Sequence, residues 1–325
     1  MKAIVCKAFA PIEALSFEEV PEPMLAENEL KIVVHAAGVN FPDALLVQGL
    51  YQAKPDLPFI PGSEFSGVVE QVGDEVRGYK VGDKVIGLSS TYGAYAQKIT
   101  CPAEKVMPMP DFISYEAAAS LVLAHGTAHH ALKQRGQLKA GETLLVLGAA
   151  GGTGIAAVQI GKAMGAHVIA ACSSEDKLEL ARANGADELI NYTENDLKSE
   201  IKRLTNGKGV DVVYDPVGGE FFDACARCMK AEGRLLVVGF ASGTIPKLPV
   251  NLTLVKEFSI VGVFFGAYTR RDKKGYADNM QELFNWYQQE KVSLIIDKCY
   301  PLAQTAQALK AVANRQVMGK VILTP

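Results

Sequence analysis

Thr143-Leu144-Leu145-Val146-Leu147-Gly148-Ala149-Ala150-Gly151-Gly152-Thr153-Gly154 is the stretch that decides the fold. Its first five residues are apolar and β-favouring, as a buried strand requires. The glycines then force a tight turn, and helical spacing runs from Gly152 to Met164. Read as A-x-G-x-x-G, the motif positions are Ala149, Gly151 and Gly154. The first serves the turn, the second lets backbone N–H groups approach a pyrophosphate, and the third lets helix pack on strand. Gly152 and Thr153 lie between them at the helix N-terminus, where free N–H groups and a partial positive charge favour phosphate. The next strand, His167 to Ala171, follows in register. The run predicts dinucleotide binding, including contacts from Ala149, Gly151, Gly152, Thr153 and Gly154. A purely structural glycine turn, or an S-adenosylmethionine site on a similar fold, would use the same pattern.

Downstream, Glu175 to Ala183 reads as a helix stopped by Gly185. Val210–Asp215 and Arg234–Gly239 read as further strands, separated by a helix carrying Cys225. Strand and helix alternate, so residues 123–265 are expected to form a Rossmann domain with a doubly wound parallel sheet. NAD enzymes place an acid at the end of the second strand, about 20 residues after the glycines. Ala170-Ala171-Cys172-Ser173-Ser174 has none. Ser173, Ser174 and Lys177 offer hydroxyls and a positive charge for a 2′-phosphate, which predicts NADP(H). Glu175 and Asp176 oppose that reading but suit the first turn of a helix.

Upstream, Lys31–Ala37, Phe65–Gly73 and Lys84–Gly87 read as short strands punctuated by glycine and proline. Residues 1–122 are therefore expected to be β-rich and barrel-like. After about Gly266 the chain turns helical and closes on Lys320-Val321-Ile322-Leu323. That tail is too short to fold alone, so 266–325 is expected to complete the first domain. Phe258 to Phe265 reads as the last strand of the parallel sheet, apolar and free of charge. An open edge of that kind invites pairing, and a two-fold contact with its own copy would close it; a homodimer is expected.

The 325 residues carry a formal charge of −3, which leaves no basic field for nucleic acid. Apolar runs such as Ser259–Ala267 fall short of a membrane span. Met1-Lys2-Ala3-Ile4-Val5 opens directly into a strand pattern, with no signal-peptide texture. Cys6, Cys101, Cys172, Cys225, Cys228 and Cys299 are scattered, consistent with a reduced, cytoplasmic protein. Cys225 and Cys228 form one C-x-x-C on an amphipathic helix, without the second pair a zinc ribbon needs. His125 and His129 lack the intervening glutamate of H-E-x-x-H and read as buried, satisfied histidines. No metal site is expected.

Several further runs resemble one family. They include Ala36-Ala37-Gly38-Val39-Asn40-Phe41-Pro42-Asp43, Gly49-Leu50-Tyr51 and Pro61-Gly62-Ser63-Glu64-Phe65-Ser66-Gly67. Gly126-Thr127-Ala128, Ile190-Asn191-Tyr192 and Asp215-Pro216-Val217-Gly218-Gly219 continue the series. Together they resemble the zinc-free quinone oxidoreductase branch of the medium-chain dehydrogenase/reductase superfamily. Lys54–Phe59 and Gly239-Phe240-Ala241-Ser242-Gly243 look nearest its quinone oxidoreductase-like protein 2 subgroup. The resemblance implies a GroES-like substrate domain, a Rossmann domain and a homodimer. It implies cofactor contacts at Asn40, Thr127, Val217, Gly239, Phe240 and Phe264, at Tyr192 near the adenosine phosphate, and at Arg315 near the cofactor phosphates. Zinc-dependent relatives carry a cysteine near Val39 or Asn40 and a histidine at the place of Ser63; both are missing.

Without zinc nothing stabilises an alkoxide, so the expected chemistry is reduction: hydride from NADPH onto a quinone or an α,β-unsaturated carbonyl. A hydride delivered to an enone makes an enolate, which calls for a hydrogen-bond donor and a proton source. Tyr51 sits where enoyl-thioester reductases of the same superfamily carry a proposed proton donor. Asn40 is the second catalytic candidate, through the nicotinamide amide or the substrate; Asp43 reads as structural. An enoyl-thioester or acrylyl-CoA-type reductase, and a non-catalytic NADPH-binding protein, are the alternative readings. A basic cluster at Arg270, Arg271, Lys273 and Lys274 would suit CoA or a plain solvated turn.

Overall fold

A computed structural model describes residues 1–325. The chain divides into two compact units, Met1–Leu123 with Leu294–Pro325, and Ala124–Ser293.

The first unit opens with β1 (Lys2–Val5) and β2 (Ser16–Glu19), an antiparallel pair. Its backbone is β3 (Glu29–Val39), followed by α1 (Phe41–Val47), β4 (Glu64–Val72), β5 (Lys84–Leu88), β6 (Lys98–Pro102) and β7 (Val106–Pro108). β3 pairs with β4 along its whole length, and with β6 near its start. The β3–β4 register shifts between Lys31 and Ile32 and again between Val34 and Ala36. Such irregularities bend a strand and curl a sheet. Leu30, Ile32, Phe65, Val85, Ile99 and Tyr95 fill the interior. The sheet is completed from far downstream, by β14 (Ile296–Pro301), α10 (Thr305–Ala313) and β15 (Lys320–Thr324). β15 lies between β14 and β3, antiparallel to β3, with Val321 opposite Val39.

Helix α2 (Tyr115–His130) contains the boundary between the units. The second unit then builds β8 (Thr143–Leu147), α3 (Gly152–Ala163), β9 (His167–Cys172), α4 (Glu175–Ala183), β10 (Glu188–Asn191) and α5 (Leu197–Leu204). It continues with β11 (Val210–Asp215), α6 (Phe221–Arg227), β12 (Met229–Val237), α7 (Asn251–Lys256) and β13 (Ser259–Gly262). All six strands run parallel in the order β10-β9-β8-β11-β12-β13. Leu144, Leu145, Val146 and Leu147 are all wholly buried, as a strand covered on both faces must be.

Two expectations about boundaries are corrected. The chain crosses back to the first unit at Ser293/Leu294, not near residue 266. α8 (Phe265–Arg271) and α9 (Lys273–Gln288) stay with the second unit because their side chains are committed there. His129 meets Glu282 at 2.8 Å, Gln134 meets Asn279 at 2.8 Å, and a Cβ on Gly126 would strike the Phe265 ring at 2.5 Å. The last strand of the sheet is also short: β13 covers four residues rather than Phe258 to Phe265, because the chain turns into α8 at Phe265. It remains the sheet edge, with Ile260 40% and Phe264 52% exposed.

Candidate active site

The glycine turn has the geometry its spacing requires. Gly148 adopts φ 58°, a left-handed conformation open to glycine. A Cβ on Gly154 would lie 2.1 Å from the Gly148 carbonyl oxygen, so this glycine is fixed by the close packing of helix on turn. Gly151 differs. A Cβ there would meet nothing nearer than that same oxygen at 3.4 Å, so packing within the protein does not demand glycine. Open space at the N-cap of α3 fits an outside group that must approach the backbone closely, as a pyrophosphate does. Gly152 and Thr153 follow in the first turn, and the Thr153 hydroxyl hydrogen-bonds the buried Tyr214 hydroxyl. The turn lies at the β8/β11 junction, where strand order reverses, which is where open α/β sheets bind ligands.

Neighbouring loops close around it. Asp215 is buried, and its Oδ1 accepts from the N–H groups of Val217 (2.8 Å) and Gly218 (2.7 Å). Burial raises this carboxyl, and the two N–H groups work against that rise. The Asp215 turn sets Val217 against the glycine turn: a Cβ on Gly148 would sit 3.1 Å from Val217 Cγ2. Gly239 packs over Pro216, and a Cβ on Gly218 would reach Phe240 at 2.9 Å. Val217, Gly239 and Phe240 thus gather at the strand ends with the glycines. Thr127 sits on α2, and Phe264 is the exposed residue before α8.

At the end of β9, Lys177 Nζ donates to Ser173 Oγ (3.3 Å), and Ser174 is the N-cap of α4. Tyr192 joins them through its N–H to the Cys172 carbonyl (3.1 Å), with its ring against Phe221 at 4.5 Å. Ser173, Ser174, Lys177 and Tyr192 therefore form one patch at the end of β9.

The substrate-side candidates lie in the first unit. Asn40 caps α1, and its N–H donates to Asp43 Oδ2 (2.9 Å). Its side chain is engaged within the domain. Nδ2 donates to Glu64 Oε2 (3.1 Å) and the Gly38 carbonyl (3.4 Å), while Oδ1 accepts from Lys320 Nζ (2.5 Å). Both amide protons of Asn40 thus have partners inside the first unit. Lys320 also donates to Glu64 (3.0 Å), whose other oxygen accepts from Leu123 N–H (2.7 Å) in α2. Glu64 is wholly buried and Lys320 nearly so. Asp43 is structural, as read, but its partner is the Tyr95 hydroxyl (2.8 Å) rather than a basic group. Burial lifts the Asp43 carboxyl to about 6, although Tyr95 and the Asn40 N–H pull it down.

Tyr51 is half-buried, and burial followed by the Asp43 charge raises its phenol above the ordinary value. It is held as a neutral hydroxyl, able to donate. Arg315 occupies a left-handed position, φ 57°, just after α10.

No group of three or more His, Cys, Asp or Glu is arranged to hold an ion. Near Asn40 and Ser63 both carboxylates are already engaged, Glu64 with Lys320 and Asp43 with Tyr95 and the Asn40 N–H, and no cysteine or histidine joins them, so this donor set does not fit zinc. His129 and His130 are buried, and burial lowers both imidazoles, His130 to about 4. Cys225 and Cys228 are buried at the end of α6, and burial raises their thiols. Sequence reasoning passed over Lys320, Glu64 and Tyr95. The one available signal was a lysine inside the apolar run Met318-Gly319-Lys320-Val321-Ile322, which a solvent-facing strand position explains as well.

Comparison with known proteins bears on this arrangement. Residues 26–111 match the alcohol dehydrogenase GroES-like domain family, and residues 152–286 match the zinc-binding dehydrogenase family. Quinone oxidoreductase-like protein 2 of Bos taurus is 37% identical over 95% of this chain and 89% of its own length. A quinone oxidoreductase of Pseudomonas aeruginosa is 35% identical over 100% of this chain and 99% of its own. The crystal structure of Escherichia coli quinone oxidoreductase complexed with NADPH superposes with a TM-score of 0.94, at 30% identity and full coverage of both chains. A GroES-like domain, a Rossmann domain and whole-length similarity of this degree place the chain in the medium-chain dehydrogenase/reductase superfamily, in its quinone oxidoreductase branch with the quinone oxidoreductase-like protein 2 group.

Proposed function

We propose that the protein is a zinc-independent, NADPH-dependent reductase acting on quinones or α,β-unsaturated carbonyl compounds. The observation that carries the cofactor assignment is the end of β9, where Ser173 Oγ and Lys177 Nζ are 3.3 Å apart and no acid follows the strand directly. The NADPH complex of the E. coli relative supports the same choice. When bound, the cofactor supplies the hydride. The glycine turn and the N-terminus of α3 hold the pyrophosphate. Ser173, Ser174 and Lys177 read the 2′-phosphate, with Tyr192 alongside. Val217, Gly239, Phe240, Phe264 and Thr127 bound the nicotinamide half.

On the substrate side, Tyr51 donates a hydrogen bond to the carbonyl or quinone oxygen as it gains charge. Its raised phenol keeps the proton in place until that charge develops. Asn40 acts at one remove, with Lys320 and Glu64 fixing the start of α1. The assembly is a homodimer formed through the β13 edge, where Ile260 and Phe264 present apolar surface.

Oxidation of NADPH against a panel of quinones, enones and enoyl-CoA esters tests the reading. Turnover with quinones or enones supports it. Turnover confined to enoyl-CoA esters establishes the thioester reductase instead, and NADPH binding without any turnover establishes a binding protein.

A further inference from the structure

The patch at the ends of β9 and β10 contains an acid that the cofactor assignment leaves unexplained. Glu175 is the first residue of α4, three positions past the end of β9 and two before Lys177. A carboxylate near this strand end is the feature NAD-binding proteins use to grip the ribose hydroxyls, and it repels a 2′-phosphate. Here it is restrained. Asn191, the last residue of β10, is buried, and its Nδ2 donates to Glu175 Oε1 (3.1 Å). The remaining capacity of Asn191 is directed back into the patch. Its Oδ1 accepts from Thr193 N–H (3.2 Å) and Thr193 Oγ1 (2.7 Å), and that hydroxyl lies 3.2 Å from the Ser173 carbonyl. Ser173 Oγ in turn accepts from Lys177. The Lys177–Ser173 pair and the Thr193–Asn191–Glu175 bonds thus lie side by side in one patch, and Asn191 is the link that holds the acid.

We infer that Asn191 is a specificity-determining residue: by holding Glu175 it keeps a latent NAD-type acid away from the 2′-phosphate, and so sets the preference between NADPH and NADH. This rests on the NADPH reading above. Asn191 works through Glu175 and is a positioning residue. A buried amide suits the task because it binds a carboxylate without adding a charge that would itself attract or repel phosphate. Freeing Glu175 turns a negative charge toward a group of nearly two negative charges, which weakens NADPH about ten-fold and leaves NADH unharmed or tighter.

The test is the ratio of NADH to NADPH dissociation constants, measured by calorimetry on the full chain. Asn191→Asp expels Glu175 while keeping shape and the Thr193 acceptor. The double variant N191D/E175Q restores the bond with its polarity reversed and returns the net charge to that of the wild type. Asn191→Ala, which removes the donor without adding charge, is the second single variant. We expect both single variants to lower the ratio about ten-fold and the double variant to return it to within about three-fold of wild type. Equal losses for both cofactors, or a double variant that stays at the level of N191D, overturns the inference. A wild type that prefers NADH overturns the NADPH reading by itself, and the response of the ratio to freeing Glu175 still decides the role of Asn191.

Discussion

Replacing Lys320 with methionine is the sharpest test of how the first unit is held together. Methionine keeps much of the stem and the packing on β15 but removes the ammonium. Glu64, 0% exposed, then keeps only two neutral donors, Leu123 N–H at 2.7 Å and Asn40 Nδ2 at 3.1 Å. Breaking a buried pair by deleting one partner costs about 3–5 kcal/mol, because the surviving charge stays in the interior. For a unit of about 155 residues, each kcal/mol lowers the melting temperature by about 2–4 °C, so the variant should melt about 6–20 °C below wild type. Glu64→Gln alone strands the ammonium and should cost a similar amount. The double variant Lys320→Met with Glu64→Gln leaves no charge behind and should recover at least half of the loss, which isolates the pair from mere repacking. Scanning calorimetry on the four proteins completes the cycle. A Lys320→Met variant melting within about 2 °C of wild type, or a double variant worse than both singles, would refute the reasoning.

The other predictions address charge, cofactor, metal and assembly. Burial lifts Asp43 to about 6, so the folded chain keeps a proton that the unfolded chain releases, and this contribution to stability disappears as pH rises from about 4 through 6. Asp43→Asn should therefore gain on wild type across that window in thermal melts, and a difference independent of pH would contradict the assignment. Lys177→Ala should weaken NADPH about ten-fold or more and spare NADH, since a charge-assisted phosphate contact contributes about 1.5–3 kcal/mol; equal losses in a titration would remove Lys177 from the 2′-phosphate site. Activity should survive chelation, and protein purified without added zinc should hold none by elemental analysis; activity lost to a chelator and restored by zinc would end the zinc-independent reading. Ile260→Lys places charge on the exposed β13 edge and should yield monomer by light scattering, and a wild type that is already a clean monomer at micromolar concentration would rule out the dimer.

Some of this was open to reading because it is local. β8, α4 and β11 have the limits that their apolar runs and flanking glycines mark, since each depends on neighbours a few residues away. The glycine turn was legible for the same reason: strand, turn and helix lie within one continuous segment. The network around Glu64 was not. Asn40 and Lys320 are 280 positions apart, and a fixed asparagine looks identical in sequence to one that offers its amide to a ligand. The misplaced second boundary has the same origin. α9 belongs with α2 because of contacts such as Glu282 to His129, 153 residues away, which no local periodicity records. At β13 an apolar run was mistaken for strand length, because Phe264 and Phe265 suit a helix start as readily as an edge.

The interleaving of the two units governs the order in which the chain becomes a protein. Residues 124–293 are continuous, so the parallel sheet can close as soon as its last helix has been made. The first unit cannot. β3 and β4 are synthesised early, yet the strand that covers β3 and the ammonium that neutralises Glu64 arrive with residues 320–324. At about 5–20 residues per second, the nascent β-rich segment waits on the order of ten seconds or more after α2 emerges. During that interval it exposes an unpaired edge and an unmatched carboxylate. Fusions or truncations that delay or remove β15 should therefore lose yield through aggregation on the ribosome, even where the nucleotide-binding unit is left intact.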